Sequence, residues 1–233
     1  EGLKQLQAAK PAKNLTFAAI GEQAGVSADT VSRLFHPERG KRVSKESLAA
    51  IAKALELSPE TLVPGGEWPS PFTEAERRIQ EALESGATEL DLSGLELIAV
   101  PDSIGQLLHL RSLYLHENRL TFVPKELSQL ENLTELSLDN NQLTSVPKEL
   151  GKLTNLTELY LHENKLTSLP RRMGDLVSLK MLFLSENQLT SVPKELGQLE
   201  NLKGLFLSGN QLTTVPKELG QLENLTELYL FQN

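Results

Sequence analysis

His116, Asp139 and His162 follow one another at intervals of 23 residues, the interval at which asparagine recurs at positions 118, 141, 164, 187, 210 and 233. Side chains that share such a period stand side by side once the repeats stack. Two imidazoles flanking a carboxylate are the residue set of a metal site, or of a pH-sensitive contact with the neighbouring Glu117 and Glu163. The simpler reading is a pair of solvated surface histidines, and neither a metal nor a cofactor is expected. The central column reads Asp91, Tyr114, Ser137, Tyr160, Phe183, Phe206 and Tyr229, and it holds all three tyrosines of the chain. Exposed aromatic rows mark interaction sites; the alternative is that the rings only brace neighbouring strands. One flanking column carries Glu89, Glu135, Glu158 and Glu227, and another carries Glu117, Glu163 and Glu186. Apolar anchors rimmed by carboxylates suit a protein or peptide ligand with apolar and basic residues. The expected protein-binding residues are therefore Tyr114, Tyr160, Phe183, Phe206, Tyr229, His116, His162, Glu135 and Glu158. No nucleophile with an adjacent base and no phosphate loop is apparent, so an enzyme is not expected within these residues.

These columns exist only if the chain between them folds repetitively. Each asparagine closes a run L-x-x-L-x-L-x-x-N, as in Leu110, Leu113, Leu115 and Asn118. The pairs 90/92, 113/115, 136/138, 159/161, 182/184, 205/207 and 228/230 define seven short parallel strands, with leucines inward and the residues between them outward. Pro101, Pro124, Pro147, Pro170, Pro193 and Pro216 fit the first turn of short convex-side helices. With its V-P-x-x-L-G-x-L second half, the chain from about Ala87 onward resembles the leucine-rich repeat family in its 23-residue form. The resemblance implies an α/β solenoid with a concave parallel sheet over residues 87–233. Near-identity of LTSVPKELG at 143–151 and 189–197 points to duplication or consensus engineering. Asn233 holds a ladder position in a repeat that does not finish, so a C-terminal cap is expected to be absent from this sequence.

Thr73 and Glu76 match a capping box, and the helix over 73–86 places Ala75, Ile79 and Leu83 on one face to cover the first repeat. Leu95 there replaces the ladder asparagine. Residues 65–72 read as a Pro/Gly linker in which Trp68 and Phe72 pack on the first repeat or against the helical bundle. N-L-T sequons at Asn14, Asn132, Asn155 and Asn224 are read as coincidence, three of them being products of the repeat.

Residues 1–64 read as short helices. Ile20, Ala24, Val26, Val31 and Leu34 supply the apolar positions, Gly25 the turn, and Ser27 and Ser44 the caps of later helices. The run from Thr16 to Phe35 resembles the helix-turn-helix of the lambda-repressor-like superfamily, and GVSADTVSRL resembles the start of lactose-repressor family proteins. By that resemblance Ala28, Asp29, Ser32 and Arg33 face base edges, Arg33 suiting guanine, while Ser27 and Thr30 reach phosphate. Arg39, Lys41, Arg42 and Lys45 follow in the next loop, where a phosphate backbone would run.

The charge is divided accordingly. The chain carries −8 overall, but residues 1–65 hold nine Lys and Arg against seven Asp and Glu. Cysteine is absent, which removes thiol chemistry and favours a reducing, cytoplasmic compartment; no segment is apolar enough to span a membrane. The sequence thus describes a multidomain protein, an all-α helix-turn-helix bundle followed by a repeat solenoid. Its expected role is a bacterial-type DNA-binding regulator that recognises a protein. The alternatives are an adaptor whose bundle does not bind DNA, or the N-terminal part of a longer enzyme. Oligomeric state is left open.

Overall fold

One asparagine side chain per repeat satisfies backbone groups on two successive turns. Asn118 Oδ1 accepts from the amides of Leu95 (3.1 Å) and Leu97 (2.9 Å), while Nδ2 donates to the carbonyls of Leu92 (2.9 Å) and Leu115 (3.0 Å). Asn141, Asn164, Asn187 and Asn210, all buried, each accept from one such amide and donate to the two corresponding carbonyls. An amide has the right inventory of donors and acceptors for this, and no apolar side chain does. The computed structural model describes Ile51 and residues 70–233. The chain divides into two compact units, Glu1–Pro69 and Ser70–Asn233. The helices expected over residues 1–64, the DNA-facing side chains from Ser27 to Lys45, and Trp68 lie outside the described residues.

The ladder spaces seven strands: β1 (Glu89–Asp91), β2 (Ser112–Tyr114), β3 (Glu135–Ser137), β4 (Glu158–Tyr160), β5 (Met181–Phe183), β6 (Gly204–Phe206) and β7 (Glu227–Tyr229). They form one parallel sheet in sequence order, each paired with the next in a 23-residue register such as Leu136 with Leu159. The inward leucines of β2 to β6 are fully buried. Leu228 of β7 is 44% exposed, because no further layer lies over it among the described residues.

The second half of each repeat is a 3-10 helix, from Asp102–Gln106 through Lys217–Gln221. The prolines stand one place ahead of the position expected for them. They are the N-caps, with extended ψ, and their carbonyls accept the first helical bond, as Pro101 does from the Ile104 amide at 3.1 Å. The glycine of V-P-x-x-L-G lies where these helices touch. A Cβ on Gly174 would stand 2.3 Å from the Glu195 carbonyl oxygen, whereas on Gly220 it would meet nothing within 4 Å. Ser128 takes this column in the second repeat and is buried there.

The helix Pro71–Ser85 covers the first repeat, packing on β1 and on Asp102–Gln106. Its N-cap is Ser70 and not Thr73: Ser70 Oγ accepts from the Thr73 amide at 3.1 Å, and Pro71 supplies the first turn. The buried face is Ala75, Ile79 and Ala82, while Leu83 is 39% exposed. At 100° per residue Ala82 lies closer to the Ala75–Ile79 line than Leu83 does. Phe72 is also exposed. Glu74, almost fully buried, accepts from Arg77 and Arg78, and Arg78 continues to the Asp91 carbonyl at 2.8 Å, tying helix to sheet.

The asparagines of the described N-L-T runs, together with Asn201 of an N-L-K run, have a structural role. Asn132, Asn155, Asn201 and Asn224 each donate from Nδ2 to a carbonyl 24 residues earlier at 2.8 Å, making a second, exposed asparagine ladder.

Asn164→Ala is expected to cost about 2 kcal/mol or more, since it orphans buried amides and carbonyls, and Asn155→Ala under about 1 kcal/mol, since water replaces its bond. Gly174→Ala is expected to cost about 1–3 kcal/mol by overpacking, with Gly220→Ala near neutral. Denaturant midpoints of the four variants check both orderings.

Candidate functional site: the concave face

Alternation along each three-residue strand turns its first and third side chains to the concave surface. In the central column Tyr160, Phe183, Phe206 and Tyr229 form a continuous stack. Successive centroids are 4.6, 4.5 and 5.0 Å apart and the planes lie within 13° of parallel. The rings cover one another's faces and leave their outer edges to solvent; Tyr160, Phe183 and Phe206 are half-buried and Tyr229 is 42% exposed. Phe231, in the next column, meets the edge of Tyr229 at 6.2 Å and is itself 61% exposed. Tyr114 stands apart from the stack, because Ser137 occupies the strand between it and Tyr160.

Around Ser137 the face is polar and internally bonded. Ser137 Oγ donates to Asp139 Oδ1 at 2.6 Å and lies 3.0 Å from His116 Nδ1. Asp139 Oδ2 is 3.6 Å from His162 Nε2. The columns thus bring His116, Asp139 and His162 together, but through a serine. Among the described residues no group of three or more His, Asp and Glu is placed to hold a metal ion. The Ser137–His116 contact is a nucleophile beside a base that the sequence alone did not reveal, since the two residues lie 21 apart in different columns. Its protons run the wrong way for activation. Ser137 gives its one hydrogen to Asp139, so His116 donates to Ser137 instead of accepting from it. His162 sits edge-on between Tyr160 and Phe183, and its Nδ1 and the buried Ser208 Oγ find no hydrogen-bond partner among the described residues.

The flanking carboxylates are positioned by the tyrosines. Tyr114 OH donates to Glu135 Oε2 at 3.1 Å and Tyr160 OH to Glu158 Oε2 at 2.5 Å. Glu117, Glu163 and Glu186 occupy the turn after each strand with φ of 54°, 53° and 55°. In that column Gly94, Asn140, Gly209 and Gln232 hold the equivalent positions. The first acidic column is interrupted at Ser112 and again at Met181 and Gly204, breaks readable in the sequence once the column is followed to its end.

Comparison with known proteins gives the chain two kinds of relative. A leucine rich repeat family model matches residues 85–143, 131–189 and 178–233, and a Cro/C1-type HTH DNA-binding domain model matches residues 11–63. A leucine-rich repeat protein soc-2 homolog of Nematostella vectensis is 34% identical over 108 residues, covering 44% of this chain and 18% of that protein. The Arabidopsis receptor kinase HAESA, solved in complex with the peptide hormone IDA and the co-receptor SERK1, is 32% identical with a TM-score of 0.58. That match covers 64% of this chain and 26% of the receptor chain. The plant peptide hormone receptor RGFR1, solved in complex with RGF2, is 33% identical with a TM-score of 0.52, covering 58% of this chain and 22% of that one. The chain therefore spans a quarter or less of most of these relatives. No described helix is long and apolar enough to cross a membrane.

Burial, then the hydrogen bond and charge of Glu158, hold the Tyr160 hydroxyl well above the ordinary tyrosine range; burial and Glu135 push Tyr114 in the same direction. A raised folded-state value means that the unfolded chain ionises first, so this stability is complete below about pH 10 and is lost as pH rises beyond it. Base titration of tyrosinate absorbance is expected to show Tyr160 ionising late, with Glu158→Gln bringing it down. Tyr160→Phe is expected to remove part of the alkaline stability loss.

Proposed function

The chain belongs to the leucine-rich repeat family, and from that premise we propose a cytoplasmic DNA-binding regulator of bacterial type whose concave face recognises a protein or peptide. The observation that carries the recognition half is the aromatic stack over β4 to β7, bordered by carboxylates that no described Lys or Arg neutralises. Ring edges and unneutralised acids together offer apolar contact at the centre and charge at the rim, the composition of a binding surface. The peptide hormones seen with the similar plant receptors support a peptide as the class of ligand.

The DNA half rests on the match of residues 11–63 to a DNA-binding domain. In this reading Ala28, Asp29, Ser32 and Arg33 meet bases, and Ser27, Thr30, Arg39, Lys41, Arg42 and Lys45 meet phosphates. The split in charge fits such a division, with the acidic repeats turned to a partner other than nucleic acid.

Titration of labelled duplex DNA with the full chain at several salt concentrations tests this. Binding is expected at low salt, falling steeply as salt rises. Arg33→Ala with Arg42→Ala should weaken it by about tenfold or more, and Tyr160→Ala with Phe206→Ala should leave it unchanged. Absence of binding at low salt, or indifference to the arginine pair, overturns the DNA half and leaves an adaptor.

A further inference from the structure

The concave face changes character between β4 and β5. Glu135 and Glu158 are register partners on adjacent strands, so two like charges stand directly opposite each other, an arrangement that destabilises a sheet. Each is held in place by a tyrosine hydroxyl, and neither has a Lys or Arg partner among the described residues. Carboxylates elsewhere in the repeats do find cations, as Glu96 does with Arg119 at 3.1 Å and Glu195 with Arg171 at 4.0 Å. A cation placed between Glu135 and Glu158 would relieve a repulsion that the fold leaves standing.

On β5 and β6 the same column reads Met181 and Gly204. A Cβ on Gly204 would meet Met181 Cε at 2.7 Å, Phe206 Cε2 at 2.8 Å and Met181 Sδ at 3.0 Å. The tip of Met181 therefore lies across Gly204 against the Phe206 ring, forming an apolar shelf where the other half carries acids. Methionine adapts its shape to an apolar neighbour more readily than branched side chains do. The residues just ahead of the shelf are the exposed Lys180 and Lys203, where Thr134 and Thr157 precede the two glutamates. Two lysines thus flank the shelf where threonines flank the glutamates, while Glu227, the register partner of Gly204, bounds its far side.

Resting on the reading that the concave face binds a peptide, we propose that its ligand is an extended segment with two unlike anchors. A Lys or Arg sits between Glu135 and Glu158, and an apolar side chain rests on the Met181–Phe206 shelf. From β4 to β6 is two strand spacings, about 10 Å, the span of about three residues in a polyproline II chain, whose side chains three apart face the same side.

Selection of random displayed peptides on the immobilised full chain tests this, followed by affinity measurement of the enriched peptides on variants. Enriched peptides are expected to carry a basic residue about three positions from an apolar one. Glu135→Gln with Glu158→Gln should weaken them about tenfold and remove most of their salt dependence. Met181→Glu with Gly204→Glu extends the acidic column of β3 and β4 across the shelf. It should cost a similar factor, with the unfolding midpoint confirming that the fold is kept. Peptides that need Tyr160 and Phe206 but are indifferent to both pairs overturn the two-anchor ligand while the concave-face reading survives. Peptides indifferent to Tyr160→Ala with Phe206→Ala as well, or no enrichment at all, overturn the concave-face reading and this proposal with it.

Discussion

The buried asparagine amide is the constraint on which the rest depends. Its oxygen and nitrogen together close backbone groups on two turns that no other side chain reaches. A turn of different length would leave those groups unpaired in an apolar interior, at a cost comparable to a fraction of a domain's whole stability. The interval of 23 is thereby fixed, and with it the register of the sheet. Strand pairing, leucine packing and the touching 3-10 helices all inherit that spacing. Close approach on the convex side then demands the recurring glycine, because the helices meet backbone to backbone.

A fixed register turns a sequence into a surface. Residues 23 apart become neighbours about 4.8 Å apart, close enough for rings to stack and for carboxylates to repel. The aromatic stack is one product of this, and the facing pair Glu135 and Glu158 is another. These features are not separable from the fold, since the same pairing that builds the sheet brings like charges together. Tyrosine hydroxyls from the central column hold those charges in position, so the two columns act as one surface.

The repeat half was legible because its signal is redundant. Six asparagines, seven leucine pairs and six prolines each specify the same register, so a local departure such as Leu95 or Ser128 does not obscure it. The adjacency of Tyr160, Phe183, Phe206 and Tyr229 could be read directly from the period. What could not be read depended on side-chain direction. The Ser137 hydrogen bonds run diagonally between columns, and Met181 lies over a glycine on the next strand. The capping helix failed at single positions for the same kind of reason. Ser70 displaced Thr73 because Pro71 can begin a helix, and Ala82 displaced Leu83 because the helical period favours the smaller residue at the interface. The second, exposed asparagine ladder follows the same 23-residue period, but only the side-chain directions show which carbonyl each amide reaches.

The left-handed column has a consequence of its own. Non-glycine residues at positive φ are disfavoured by contact between Cβ and the backbone, and asparagine tolerates the region better than glutamate. Gly94, Gly209 and Asn140 show the relaxed choices for this turn, yet Glu117, Glu163, Glu186 and Gln232 also take it. Glutamate at these turns carries a backbone cost that glycine would not, in exchange for a negative charge beside the concave face.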